Sequence, residues 1–153
     1  MMMESARSNQ VAASQNEPLA FISYSSSDKN IADNLCAKLE ASGIKVWYAP
    51  RDINYNDYAS AIVDAIVHCT IFIVILSKNS LHSNHVLNEI DLAFHEMNSN
   101  RAIRFCPLKI DEETLGAAFR YYLSRQHWMD AHIPPIENRL SEFVQKIKDG
   151  GIG

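Results

Sequence analysis

The chain has 153 residues, 47% of them apolar and 21% charged, which suits one globular domain with a real core. Its formal net charge of −4 supplies no basic field for a phosphate backbone, which argues against sequence-independent nucleic-acid binding. No apolar run approaches the roughly 20 residues a membrane helix requires, so a membrane partner is not expected either.

Residues 1–17 are rich in Ser, Ala, Asn and Gln and lack an apolar signal core, so they read as a disordered leader. From residue 18 the chain alternates strand and helix patterns, the mark of an α/β domain with a parallel sheet and helices on both faces. The first strand is expected over Leu19 to Tyr24. A helix follows Asp28, with Ile31, Ala32, Leu35, Cys36 and Leu39 at helical spacing and Gly43 as its C-terminal cap. The second strand runs from Ile44 to Tyr48, and a loop from Ala49 to Asp57 leads to a helix carrying Tyr58, Ala61, Ile62, Ala65 and Ile66. Ile71 to Leu76 is apolar throughout, as a strand buried on both faces must be.

A polar loop then enters a helix over Ser83 to Asn98, with Val86, Ile90, Ala93, Phe94 and Met97 as its apolar stripe. The fourth strand is expected over Ile103 to Ile110 and a short helix within Glu112 to Leu123. His127-Trp128-Met129 is a candidate fifth, edge strand. Pro135 opens a last helix with Ile136, Leu140, Phe143, Val144 and Ile147 inward, proline being tolerated in a first turn. Residues 149–153 read as a flexible tail or linker. Cys36, Cys69 and Cys106 lie in apolar surroundings without metal-ligand spacing, and so read as buried thiols in a reducing cytoplasm. The histidines likewise have no zinc spacing, and no metal is expected.

In an open α/β sheet, ligands bind beyond the carboxyl ends of the strands where the strand order reverses. For five strands in the order 2-1-3-4-5 that point lies between the first and third, which directs attention to Ser25-Ser26-Ser27-Asp28 and to the loop from Ser77 into the helix bearing Glu89. At about 100° per residue, Glu89 falls roughly 40° outside the apolar arc of its helix, on a stripe with His85 and Glu96. Two readings are open at this point: a solvated helix face with a His85–Glu89 contact, or an acid facing a ligand. The serine run is an N-cap or an anion cradle. Arg51 contacts a phosphate or a partner, or pairs with a nearby acid, and Tyr58 is a stacking platform or part of the core.

In combination these segments resemble a known family. Phe21-Ile22-Ser23-Tyr24-Ser25-Ser26-Ser27-Asp28 resembles box 1 of Toll/interleukin-1 receptor (TIR) domains. Val46-Trp47-Tyr48-Ala49-Pro50-Arg51-Asp52-Ile53 is similar to the second strand and BB loop of the bacterial branch, and Val74-Ile75-Leu76-Ser77 with Ser83 and Asn88-Glu89-Ile90 to the segment that leads to the catalytic glutamate of enzymatic members. The resemblance covers residues 18–148. It implies a flavodoxin-like fold and cleavage of the nicotinamide–ribose bond of NAD+, taken as substrate and not as cofactor.

It implies Glu89 as the catalytic residue and Tyr24, Ser25, Ser26, Arg51, Tyr58, Ser77 and His85 as substrate-binding. It also implies self-association through TIR–TIR contacts at the BB loop, where Arg51, Asp52, Tyr55 and Asp57 lie, with a fused or separate effector or sensor domain as a further partner. A cytoplasmic role in bacterial antiphage signalling follows at the family level, and a non-enzymatic TIR interaction module is the alternative. The chain departs from the family pattern in two places. Asn54-Tyr55-Asn56-Asp57 stands where members often carry Pro-Gly, and His85 stands where several cyclase-type members carry tryptophan, which leaves a linear or a cyclic ADP-ribose product open.

Overall fold

The structure is a computed structural model that describes residues 17–49, 58–99 and 102–151. Five parallel strands form one sheet in the order β2-β1-β3-β4-β5. They are β1 (Leu19–Ser23), β2 (Lys45–Trp47), β3 (Ile71–Leu76), β4 (Arg104–Lys109) and β5 (Met129–Asp130). The helices are α1 (Lys29–Ala41), α2 (Tyr58–His68), α3 (Asn84–Asn98), α4 (Ala117–Leu123) and α5 (Ile136–Asp149). Short 3-10 turns at Ser26–Asp28 and Ser80–His82 precede α1 and α3. This is the parallel α/β sheet expected from the alternating pattern, in the flavodoxin-like form that the resemblance implies.

Strand alternation divides the core between the two faces of the sheet. Ile71, Ile73 and Ile75 of β3 join Ala20, Ile22, Cys106 and Leu108 under α1 and α5. Phe72, Val74 and Leu76 turn the other way, with Phe21 and Phe105, under α2, α3 and α4. Every residue of β3 is buried, which is why it reads as an unbroken apolar run.

On the α2/α3/α4 face the register stacks aromatic rings across neighbouring strands. Phe21 is paired with Trp47 and with Phe72, and Phe72 with Phe105. Their ring centroids lie 5.1, 5.4 and 5.1 Å apart. Such cross-strand pairs add about 0.5–1.5 kcal/mol each beyond burial and hold the strands in one register.

The ends of elements follow their local chemistry. Gly43, at φ 84°, closes α1: its amide bonds the Glu40 carbonyl and the Ile44 amide bonds the Leu39 carbonyl. These are the two reversed bonds of a Schellman cap, at a backbone angle glycine accepts without strain. Pro107 stands inside β4, a position normally closed to proline. The amides of Arg104 and Ile110 point to β3, so the alternate positions, including Pro107, face β5, whose pairing begins only at Leu108. The missing N–H therefore breaks no ladder bond.

β1, β2 and β4 are shorter than expected by a residue at one or both ends. β5 is shifted to Met129–Asp130, which pair with Leu108 and Lys109 of β4. α4, over Ala117–Leu123, lies within the stretch expected to hold a short helix. Before it, the Asp111 carboxylate accepts the amides of Glu113 and Lys78, a side-chain turn that competes with helix.

Candidate functional site

Chain order reverses between β1 and β3, so the crevice at their carboxyl ends is where a ligand belongs. A cavity of about 340 Å³ lies there. Its floor comes from Phe21 and Ile22, one wall from Tyr24, Ser25 and Ser26 of the loop after β1, and the opposite wall from Ser83, His85 and Glu89, with Ala49 at the rim.

Glu89 reaches the cavity because α3 starts beside it. The Ser83 hydroxyl accepts the Val86 amide at 3.2 Å, an N-cap that sets the first turn and places residues 85 and 89 on its cavity side. The Glu89 side chain is 7% exposed, so it belongs to the interior and not to a solvated helix face. A buried carboxylate needs donors. Ser23 supplies one, its Oγ donating to Glu89 Oε1 at 2.6 Å, and His85 Nε2 lies 3.2 Å from Oε2.

The hydrogen bond to Glu89 raises His85 above its ordinary value, and the carboxylate's charge adds to this, while partial burial works the other way. His85 remains 45% exposed, at the mouth of the cavity. The arrangement presents an oriented carboxylate to a small, mostly apolar crevice. Chemically it can accept hydroxyl donors and offset a developing positive charge.

Of the residues singled out in the sequence, the structure brings Tyr24, Ser25, Ser26, His85 and Glu89 around this one cavity. The Tyr24 ring is tilted over Tyr48 and its hydroxyl donates to the Ala49 carbonyl, tying the loop after β1 to the end of β2. Ser25 caps the 3-10 turn, accepting the Ser27 amide at 3.4 Å, as the N-cap reading of the serine run holds. Ser77, expected at the substrate, is not in the cavity wall. It is buried, its hydroxyl donates to Asp28 Oδ2 at 2.5 Å and accepts the amides of Asn79 and Ser80, so it builds the loop after β3. Arg51, Asp52, Tyr55 and Asp57, and the side chain of Tyr58, lie outside the described residues.

Two participants escape a reading by helical periodicity. Ser23 stands on the buried face of β1 two residues after Phe21, where an apolar side chain would be ordinary. Its hydroxyl in an apolar stripe is the signal that could have found it. Asp28 caps no helix with its side chain; it is buried, and besides Ser77 it accepts Asn79 Nδ2 at 3.1 Å. It thereby clasps together the two loops that flank the switch point. Among the described residues no cluster of His, Cys, Asp and Glu is placed to hold a metal ion, and no helix is long and apolar enough to cross a membrane.

The fold has known counterparts. The chain is similar to the TIR domain of the Toll-related receptor TRR-2 from Hydra magnipapillata, with a TM-score of 0.66 and 19% identity over 86% of this chain and 95% of that one. It is similar to the CMP N-glycosidase BcmB of Clostridium botulinum, with a TM-score of 0.60 and 17% identity over 86% and 98% of the two chains. It is also similar to the RPS4 and RRS1 TIR domain heterodimer, with a TM-score of 0.64 and 13% identity over 88% and 97%. At these identities the likeness is one of fold. No curated protein matches the chain. The TIR domain family model matches residues 20–146, from the start of β1 to within α5 and across every part of the cavity described above, and the chain belongs to the TIR-domain family.

Proposed function

We propose that the protein is an NAD+ nucleosidase, cleaving the nicotinamide–ribose bond to give nicotinamide and ADP-ribose or a cyclic isomer, with Glu89 as the catalytic residue. The observation that carries this reading is the buried Glu89 carboxylate, fixed by Ser23 and open to the switch-point cavity. Nicotinamide leaves a pyridinium as a neutral molecule, so the reaction asks for no general acid. What must be stabilised is the oxocarbenium-like ribose left behind. An anchored carboxylate beside that ribose holds its hydroxyls and offsets the new charge without reorganising. Water then adds to the anomeric carbon and yields ADP-ribose, or a nucleophilic atom of the same nucleotide adds and closes a ring.

Two similar structures bear on the reading. The Clostridium botulinum protein is described as an N-glycosidase of CMP, so the fold hosts cleavage of a ribose–base bond. The RPS4 and RRS1 domains form a heterodimer, which supports association between TIR domains, and activation of this chain by such association is part of the proposal. The same association supports a second reading, a non-enzymatic module in which Glu89 is incidental. A cytoplasmic place in antiphage signalling belongs to the enzymatic reading.

The test is incubation of the protein at high concentration with NAD+ or with CMP, with products identified by mass. Nicotinamide release is expected, and the second product tells linear from cyclic ADP-ribose. Cytosine release with NAD+ intact would redirect the substrate assignment, and inertness toward both in the associated state would favour the interaction module.

A further inference from the structure

The two oxygens of Glu89 are not equivalent. Oε1 is held inside the protein by Ser23, which is 1% exposed and pointed from β1 toward α3. Oε2 meets His85, a half-exposed ring at the cavity mouth. A half-exposed ring has room to swing aside, whereas the Ser23 hydroxyl is enclosed by its neighbours. One oxygen is therefore anchored and the other is available to a ligand.

The anchor sits where the apolar pattern would place something else. Phe21, on the same face of β1, is part of the aromatic row, and Ser23 is the next residue on that face. Its backbone is fixed by pairing with Val74 of β3, the central strand, and its side chain is buried, so its hydroxyl has little freedom of position. Without that hydroxyl the carboxylate could rotate about its last torsion, which is broad for glutamate, and turn both oxygens toward His85.

We propose that Ser23 is the positioning residue of the site: it fixes Glu89 by Oε1 so that Oε2 alone faces the ribose. The inference rests on the nucleosidase reading for its consequence in turnover, but not for its geometry. A positioning loss appears in kcat, because a misplaced group fails in the transition state while ground-state binding persists.

The experiment compares wild type, Ser23→Ala and Ser23→Thr in two ways: NAD+ kinetics, and the titration of the His85 ring followed by NMR without substrate. Ser23→Ala is expected to lower kcat about 10-fold or more with KM nearly unchanged, and Ser23→Thr, which keeps the hydroxyl, to restore most of it. The His85 midpoint is expected to rise further in Ser23→Ala, as the freed carboxylate turns to the ring, and to stay near wild type in Ser23→Thr. Wild-type kcat in Ser23→Ala, or an unmoved His85 midpoint, would overturn the proposal. If wild type releases no nicotinamide, the nucleosidase reading fails by itself, and the His85 titration still decides whether Ser23 sets the carboxylate.

Discussion

Helix α3 carries two acids two residues apart, Glu89 and Asp91, and their surroundings differ in every respect that matters to chemistry. Glu89 faces the sheet, is buried, and takes its hydrogen bond from Ser23 of β1, 66 residues earlier in the chain. Asp91 faces solvent beside α4, where it accepts the Tyr122 hydroxyl. That bond is the main reason Tyr122 is raised to about 12, with burial and the charge of Asp91 adding less. Both are helix carboxylates with a hydroxyl partner. Asp91 also lines a cleft, of about 900 Å³, shared with Tyr121, Tyr122 and Arg125. Only Glu89 is desolvated and set at the switch point of the sheet, so burial and position relative to the sheet, and not residue type or a neighbouring hollow, separate a candidate catalytic carboxylate from a surface one.

The sharpest way to break this comparison is to neutralise each acid in turn. Glu89→Gln keeps the size and the Ser23 contact, so we expect a folded protein whose NAD+ turnover is reduced at least about 100-fold, the scale of losing a preorganised electrostatic group. Asp91→Asn should leave turnover within about twofold of wild type in the same assay. Equal losses in the two variants would erase the distinction.

The next largest effect falls on stability. Asp28→Ala leaves the Ser77 hydroxyl and the Asn79 amide without their buried acceptor, a change of about 1–3 kcal/mol. Denaturant unfolding should show the midpoint drop at constant slope. Turnover should fall with it, because Asp28 joins both loops of the site. Unchanged stability would mean that the clasp is not needed.

Smaller still is the pH dependence from His85. Its folded value lies above the ordinary 6.5, so its pairing with Glu89 stabilises the fold fully below that pH. The contribution is lost as pH rises through the raised folded value. Because His85 is 45% exposed, it amounts to less than about 1 kcal/mol. Wild type and His85→Gln should therefore converge in unfolding free energy as pH climbs above 6.5, and a gap that widens would reverse the sign. Last, Asp91→Asn should bring the Tyr122 phenol down from about 12 toward its ordinary 10, read by ultraviolet titration, with stability changed by no more than about 0.5 kcal/mol.

The same two acids show what a sequence does and does not reveal. Ile71 to Leu76 was legible as a central strand because burial on both faces leaves no polar residue in it. The α5 helix was legible because Leu140, Phe143, Val144 and Ile147 repeat at helical spacing under a proline start. Glu89 is harder. A helical wheel measures only the angle to its own helix's apolar stripe, and the partner that draws the carboxylate inward belongs to β1. Family resemblance supplied what the wheel lacks, singling out Glu89 together with Tyr24, Ser25 and Ser26, which line one cavity with it.

Ser77 went the other way. Its place at the end of β3 suggested ligand contact, but the partner that holds its hydroxyl, Asp28, comes from a different loop. Asp28 itself reads as an ordinary helix cap in sequence, and its cross-loop bonds exist only once β1 and β3 are neighbours. Long-range polar contacts of this kind have no periodicity, and hydrophobic patterning does not register them.

The most direct test is nicotinamide release from NAD+ by wild type and by Glu89→Gln, side by side at a protein concentration that permits association. Steady release is expected from wild type, and release at least about 100-fold slower from a Glu89→Gln protein that remains folded. Equal release by both proteins would contradict the catalytic role of Glu89.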